Sequence, residues 1–143
     1  PLINVEDIKN LNNHMKKNKY QLGTLASNIS KKDFYKNKNI VKVITKENLD
    51  IENFPEVLNF KRVVTEKNKN TYHHLGIYCY QVQVLKHFTS LNQTKNELDN
   101  KLEQLRALDN NIKINVALAK SPSIGVDTKE DFLAIKKLME YKT

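Results

Sequence analysis

The chain has 143 residues with 39% hydrophobic and 28% charged residues, enough for one domain over 1–143 and too apolar for bulk disorder. Three Gly and three Pro exclude collagen-like or linker arrays, and no apolar run nears the ~20 residues of a membrane helix. The formal charge is +8, but 22 of the 24 cations are Lys, scattered beside 19 Asn, so a solvated basic surface is expected rather than a nucleic-acid interface.

In chain order, Val5, Ile8, Leu11 and Met15 put one apolar stripe on a helix over 5–18. Short strands are predicted at 22–26 and 40–44, with a short helix opened by Ser30-Lys31-Lys32-Asp33 between them. A half-exposed strand at 57–64 leads to the polar turn Lys67-Asn68-Lys69-Asn70. Residues 75–80, rich in aromatic and β-branched side chains, give the clearest strand, and a helix over 82–87 follows. Leu98, Leu102, Leu105 and Leu108 mark one amphipathic helix, ended at Asn110-Asn111. Ile112, Ile114, Val116 and Leu118 alternate as a strand, and Pro122 breaks the chain after it. Thr128-Lys129-Glu130-Asp131 caps a last helix carrying Phe132, Ile135, Leu138 and Met139. Strands alternating with helices predict an α/β fold, its sheet mainly parallel or mixed and flanked by helices.

Signatures of common enzyme classes are absent: there is no P-loop, Gly-x-Gly-x-x-Gly, Gly-x-Ser-x-Gly or His-Glu-x-x-His. Three glycines cannot build a Gly-rich phosphate cradle. The single cysteine, Cys79, excludes an internal disulfide and a Cys-rich zinc site. With no secretory apolar segment at the start, a reducing cytoplasmic setting is expected. His73 and His74 precede the strand at Leu75, and adjacent residues in extended chain point to opposite faces, so the two rings would not share a metal. Glu103 and Arg106, three apart on a helix, read as an ordinary surface pair. Arg62 and Arg106 stand out where nearly every cation is Lys, because a guanidinium binds carboxylate or phosphate in a planar fork that Lys cannot copy. Thr128 reads as a helix cap, which leaves Asp127 a free carboxylate at a loop-to-helix mouth, where open α/β sheets place ligands.

Four segments resemble one family in order and spacing: His74-Leu75-Gly76-Ile77-Tyr78-Cys79-Tyr80, Leu102-Glu103-Gln104-Leu105-Arg106-Ala107-Leu108, Lys113-Ile114-Asn115-Val116, and Gly125-Val126-Asp127-Thr128-Lys129-Glu130-Asp131. The family is CMP-Kdo synthetase, 3-deoxy-manno-octulosonate cytidylyltransferase, and the likeness is to its C-terminal half. Gly23-Thr24-Leu25-Ala26, Val41-Lys42-Val43 and Phe60-Lys61-Arg62 resemble further family strands. The resemblance implies the C-terminal portion of a Rossmann-like nucleotidyltransferase that activates the sugar acid Kdo with CTP for lipopolysaccharide, releasing pyrophosphate. It also implies that Arg62, His74, Tyr78, Glu103 and Gln104 line the sugar-acid pocket, with Arg62 on the carboxylate, that Asp127 holds magnesium, and that the chain forms a homodimer.

Departures from the pattern are specific. Residues 63–70 are short and lack the family's Trp, and Thr94-Lys95-Asn96-Glu97 keeps only the Glu of a Ser-Pro-Leu-Glu motif. Pro1-Leu2-Ile3 resembles the end of the family's Gly-Asp-Glu-Pro-Leu-Ile, so the CTP-binding half is expected to lie outside this sequence, leaving the chain inactive alone. Two alternatives stay open: a non-catalytic dimerising fragment, and a cytidylyltransferase for a nine-carbon sugar acid of the sialic acid type. A nucleic-acid binder lacks any recognisable module here.

Overall fold

The computed structural model describes residues 3–17, 19–29, 32–65, 70–120, 126 and 129–140. Among them the order is α1 (Val5–Lys17), β1 (Leu22–Ser27), a 3-10 turn (Lys32–Tyr35), β2 (Lys42–Thr45), β3 (Val57–Lys61), β4 (Thr71–Tyr80), α2 (Val82–Ser90), α3 (Lys95–Asn100), α4 (Leu105–Asp109), β5 (Ile114–Leu118) and α5 (Lys129–Glu140). No described helix is long and apolar enough to cross a membrane.

The strands form one sheet in the order β3-β2-β4-β1-β5. The expected α/β class, with a mixed sheet flanked by helices, holds. A mainly parallel sheet does not: β1–β5 is parallel, whereas β1–β4, β2–β3 and β2–β4 are antiparallel. Parallel neighbours in sequence need a crossover, usually helical. Between β1 and β4 the described chain has one 3-10 turn and no α-helix, so these strands fold back on one another. β4 begins at Thr71, four residues before the expected start, because 71–73 pair with β2. Along 75–80 no described strand covers the outer edge of β4.

Each face of the sheet carries its own core. One face gathers Leu22, Ala26, Val43, Phe60 and Tyr72 under Phe88, Leu102 and Leu105. The other packs Leu25, Leu75 and Ala117 against Leu11 and Met15 of α1. That division follows the two-residue alternation of strands. α1 lies rotated from its expected stripe, with Val5 and Ile8 exposed and Asp7, Leu11 and Met15 buried. Asp7 faces the sheet, where its Oδ1 accepts the Lys120 backbone N–H at 2.9 Å just beyond β5. Gly23 lets α1 approach this closely. A Cβ there would lie 2.7 Å from Met15 Sδ, 2.8 Å from Phe54 Cζ and 2.9 Å from Leu11 Cδ1.

Two further irregularities shape the site. Between Thr24 and Leu25 the β4 register jumps from Tyr78 to Leu75, leaving Gly76 and Ile77 without partners on β1. The Thr24 hydroxyl fills the gap by donating to the Ile77 carbonyl at 2.8 Å. The single leucine helix expected around 98–108 is instead two helices. Lys101 takes the left-handed conformation (φ 53°, ψ 47°) and closes α3. Leu98 then faces solvent while Leu102 and Leu105 turn into the core. One straight helix would have carried all three on one stripe.

Candidate functional site

A row of rings crosses the face of the sheet beneath α2 and α4. Phe60 meets His74 edge-on at 4.9 Å between centroids, His74 meets Tyr78 at 5.5 Å, and Tyr78 meets Tyr80 at 6.0 Å. Tyr80 lies 5.9 Å from Phe88, over whose ring the Arg106 guanidinium sits at 4.9 Å. His74, Tyr78 and Tyr80 share this face by the two-residue alternation of β4, which skipping the pair Gly76 and Ile77 leaves intact.

His74 is buried, and its Nε2 lies 3.0 Å from Thr24 Oγ1. A hydroxyl has one proton, and Thr24 gives it to Ile77, so Nε2–H is the donor and Nδ1 stays bare. Burial, aided by the charge of His73, pushes the His74 pKa down to about 3, so the ring is neutral at pH 7. Burial also raises the Tyr78 hydroxyl above its ordinary value, with smaller contributions from Tyr80 and Glu103. Tyr78 therefore keeps its proton and can donate it in a hydrogen bond.

Arg62 stands just beyond β3, at the edge of a cleft of about 450 Å³ that it shares with Asn59, Lys61, Asn96 and Asn100. Its guanidinium donates to three backbone carbonyls: Nε to Asn100 at 3.0 Å, Nη1 to Lys38 at 3.0 Å and Nη2 to Lys101 at 2.9 Å. Five donors minus these three leaves two for a ligand. Beneath it, the fully buried Lys42 donates to the carbonyls of Asn37 at 2.8 Å, Ile40 at 2.5 Å and Arg62. Burial, and then the nearby Arg62 charge, lower the Lys42 pKa to about 8.

Arg106 makes its principal bonds to Glu97, not to Glu103. Nε reaches Glu97 Oε2 at 2.7 Å and Nη2 reaches Oε1 at 2.5 Å, with both side chains buried. The expected pair with exposed Glu103 exists, at 3.3 Å. Glu97 also forms the capping box of α3 with Thr94. Its carboxyl is held below the ordinary value, chiefly by the Arg106 hydrogen bonds. The two residues together fix the start of α4.

Three of the expected site residues, Arg62, Glu103 and Gln104, meet at segment 100–104, with Arg62 and Glu103 on two different clefts, while His74 and Tyr78 lie in the row of rings on β4. Arg62 bonds the carbonyls of 100 and 101, Glu103 bears electrostatically on Tyr78 and Tyr80, and buried Gln104 is the N-cap of α4. Leu102 and Leu105 bury that segment on the same face as His74 and Tyr78. His73 points to the opposite face, near Phe34 and Lys42. Asp127 and Thr128 lie outside the described residues. No group of three or more His, Cys, Asp or Glu among the described residues could hold a metal ion.

Lys42 gives no signal in the sequence, because a Lys beside Val43 on a strand reads as solvent-facing. Glu97 does carry one, the Thr-x-x-Glu capping pattern, which the family resemblance presents only as the remnant of a longer motif.

Comparison with known proteins gives a consistent result. The sequence profile described as cytidylyltransferase matches residues 1–114. The chain is similar to the 3-deoxy-manno-octulosonate cytidylyltransferases of Thermodesulfovibrio yellowstonii (40% identity; 97% of this chain, 56% of that one) and Bartonella bacilliformis (36%; 87% and 51%). Its fold is similar to the structure of CMP:2-keto-3-deoxy-manno-octonic acid synthetase complexed with CTP, at TM-score 0.84 and 26% identity, covering 100% of this chain and 59% of that one. The chain thus spans about half the length of the curated relatives it matches.

Proposed function

Because the chain belongs to the cytidylyltransferase family, we propose that it is the sugar-acid-binding portion of an enzyme that activates Kdo with CTP. In this reaction the anomeric hydroxyl oxygen of Kdo bonds to the α-phosphorus of CTP, its proton is lost, and the bond to the departing pyrophosphate breaks. Such chemistry is carried by positioning and charge stabilisation.

The meeting of Arg62, Glu103 and Gln104 at segment 100–104, with Glu103 bearing on Tyr78 and Tyr78 lying beside His74, supports the reading, in a chain 40% identical to such an enzyme along 97% of its length. The two uncommitted Arg62 donors suit the sugar carboxylate. Bare Nδ1 of His74 suits a sugar hydroxyl as acceptor, with Tyr78 and Gln104 as neighbouring donors and Glu103 as a second acceptor. Magnesium is part of the proposal through Asp127, where a hard cation would neutralise phosphate charge.

Association as a homodimer and a cytoplasmic location belong to the same proposal. The β4 edge along 75–80, which no described strand covers, and the exposed Val82, Leu85 and Leu98 support a second copy as partner.

Calorimetric titration of the chain with Kdo, beside the nine-carbon sialic acid, tests the reading. Saturable Kdo binding that is lost in His74→Ala is expected, with no pyrophosphate released from CTP by the chain alone. Preference for the nine-carbon acid moves the assignment to that substrate, and absence of binding to either removes it.

A further inference from the structure

We propose that Lys42 is the positioning residue for Arg62, holding its main chain so that its guanidinium meets a ligand in one orientation. The proposal rests on the reading of Arg62 as the carboxylate-binding group. The geometry is unusual for a lysine. Lys42 is fully buried, and its three ammonium protons meet three backbone carbonyls, those of Asn37, Ile40 and Arg62. No carboxylate is among them. An ammonium has three donors, so all are committed and its direction is fixed.

Arg62 repeats the pattern one layer out. Its Nε, Nη1 and Nη2 each meet a carbonyl, those of Asn100, Lys38 and Lys101. Both cations therefore grip the same turn, Lys42 through Asn37 and Ile40 and Arg62 through Lys38. Lys42 also grips Arg62 itself. Six carbonyls at the end of β3, in the 37–40 turn and at the end of α3 are thus tied by two side chains into one unit that runs directly into Glu103 and Gln104. A strand lysine placed only for solubility would point to water. This one serves as a brace under the arginine that borders the 450 Å³ cleft.

The chain contains two arginines, which makes the test direct. Nitrogen-proton spectra should show two guanidinium Nε–Hε signals, assigned by Arg62→Lys. In Lys42→Met, hydrogen exchange of the Arg62 signal should accelerate at least tenfold, while that of Arg106, locked to Glu97, stays unchanged. Weaker Kdo binding, by about the same factor, should accompany it. No change at Arg62, or equal acceleration of both signals, overturns the proposal, since the second outcome would mean general loosening of the fold. If Lys42→Met does not fold, Lys42→Gln, which keeps two donors, supports or overturns the proposal by the same comparison at smaller amplitude. Arg62→Met separates the underlying reading: undiminished Kdo binding there removes Arg62 from the carboxylate site, while the exchange result still decides the brace.

Discussion

Arg106 grips the buried Glu97 carboxylate with two hydrogen bonds, at 2.7 and 2.5 Å, while its guanidinium covers the Phe88 ring. Removing one partner leaves a buried charge uncompensated. Arg106→Leu should therefore cost on the order of 3 kcal/mol, read as a shift of the denaturant midpoint at constant slope. Arg106→Lys should recover little, because an ammonium cannot copy the fork. A loss for Arg106→Leu no larger than that of a typical surface change would show the pair to be dispensable.

The buried His74 ties stability to acid. Its folded pKa of about 3 lies below the ordinary value of 6.5, so the unfolded chain binds the extra proton first. The stabilisation is complete above 6.5 and is lost as pH falls toward 3, at up to about 1.4 kcal/mol per pH unit. His74→Phe should flatten the acid limb of a stability–pH curve between those values. An unaltered limb would place the acid sensitivity elsewhere.

Gly23→Ala inserts a methyl group among three side chains that already stand within 2.9 Å of its position. Overpacking of this kind costs about 1–3 kcal/mol. The double variant with Met15→Ala should cost less than the sum of the two single changes, since it vacates the nearest contact. Strict additivity in thermal unfolding would count against the steric account.

Asp7→Ala should loosen the junction between α1 and the end of β5. The Lys120 N–H loses its 2.9 Å acceptor, at a cost of about 1–2 kcal/mol. Asn, which keeps an oxygen, should restore most of the loss. If Asp7→Ala instead raises stability, the carboxylate is a strained group and not an anchor.

The elements are legible in the sequence where local pattern decides them. The strand of residues 75–80 carries its own β-branched and aromatic signal, and Asn110-Asn111 stops α4 as expected, with Asn110 as its C-cap. Sheet direction is not legible, because alternating strands and helices suggest crossover helices that the described residues between β1 and β4 lack. The leucine helix fails for a tertiary reason: its periodicity is real, but burying Leu102 and Leu105 beneath the sheet requires a break at Lys101. Of the site, Arg62 stands out by rarity, whereas His74, Tyr78, Glu103 and Gln104 gain a site role only through resemblance. The bonds that hold Arg62 join residues up to 39 apart, and no local pattern encodes them. Arg106 stands out by rarity, and its work proves to be structural, through Glu97.

The parallel pairing of β1 with β5 sets a timetable for the chain. Contacts between these strands join residues some 92 positions apart, as in the bond from the Lys113 N–H to Gln21 Oε1. β1 thus waits for some 92 further residues before its parallel neighbour exists. Closing so long a loop carries an entropic cost that nearby contacts do not offset, and nonlocal topologies of this sort fold slowly. On the ribosome, a nascent chain halted before Ile114 would expose Leu22, Leu25 and Ala26 along an edge that β5 has yet to fill, an aggregation hazard that lasts until β5 emerges.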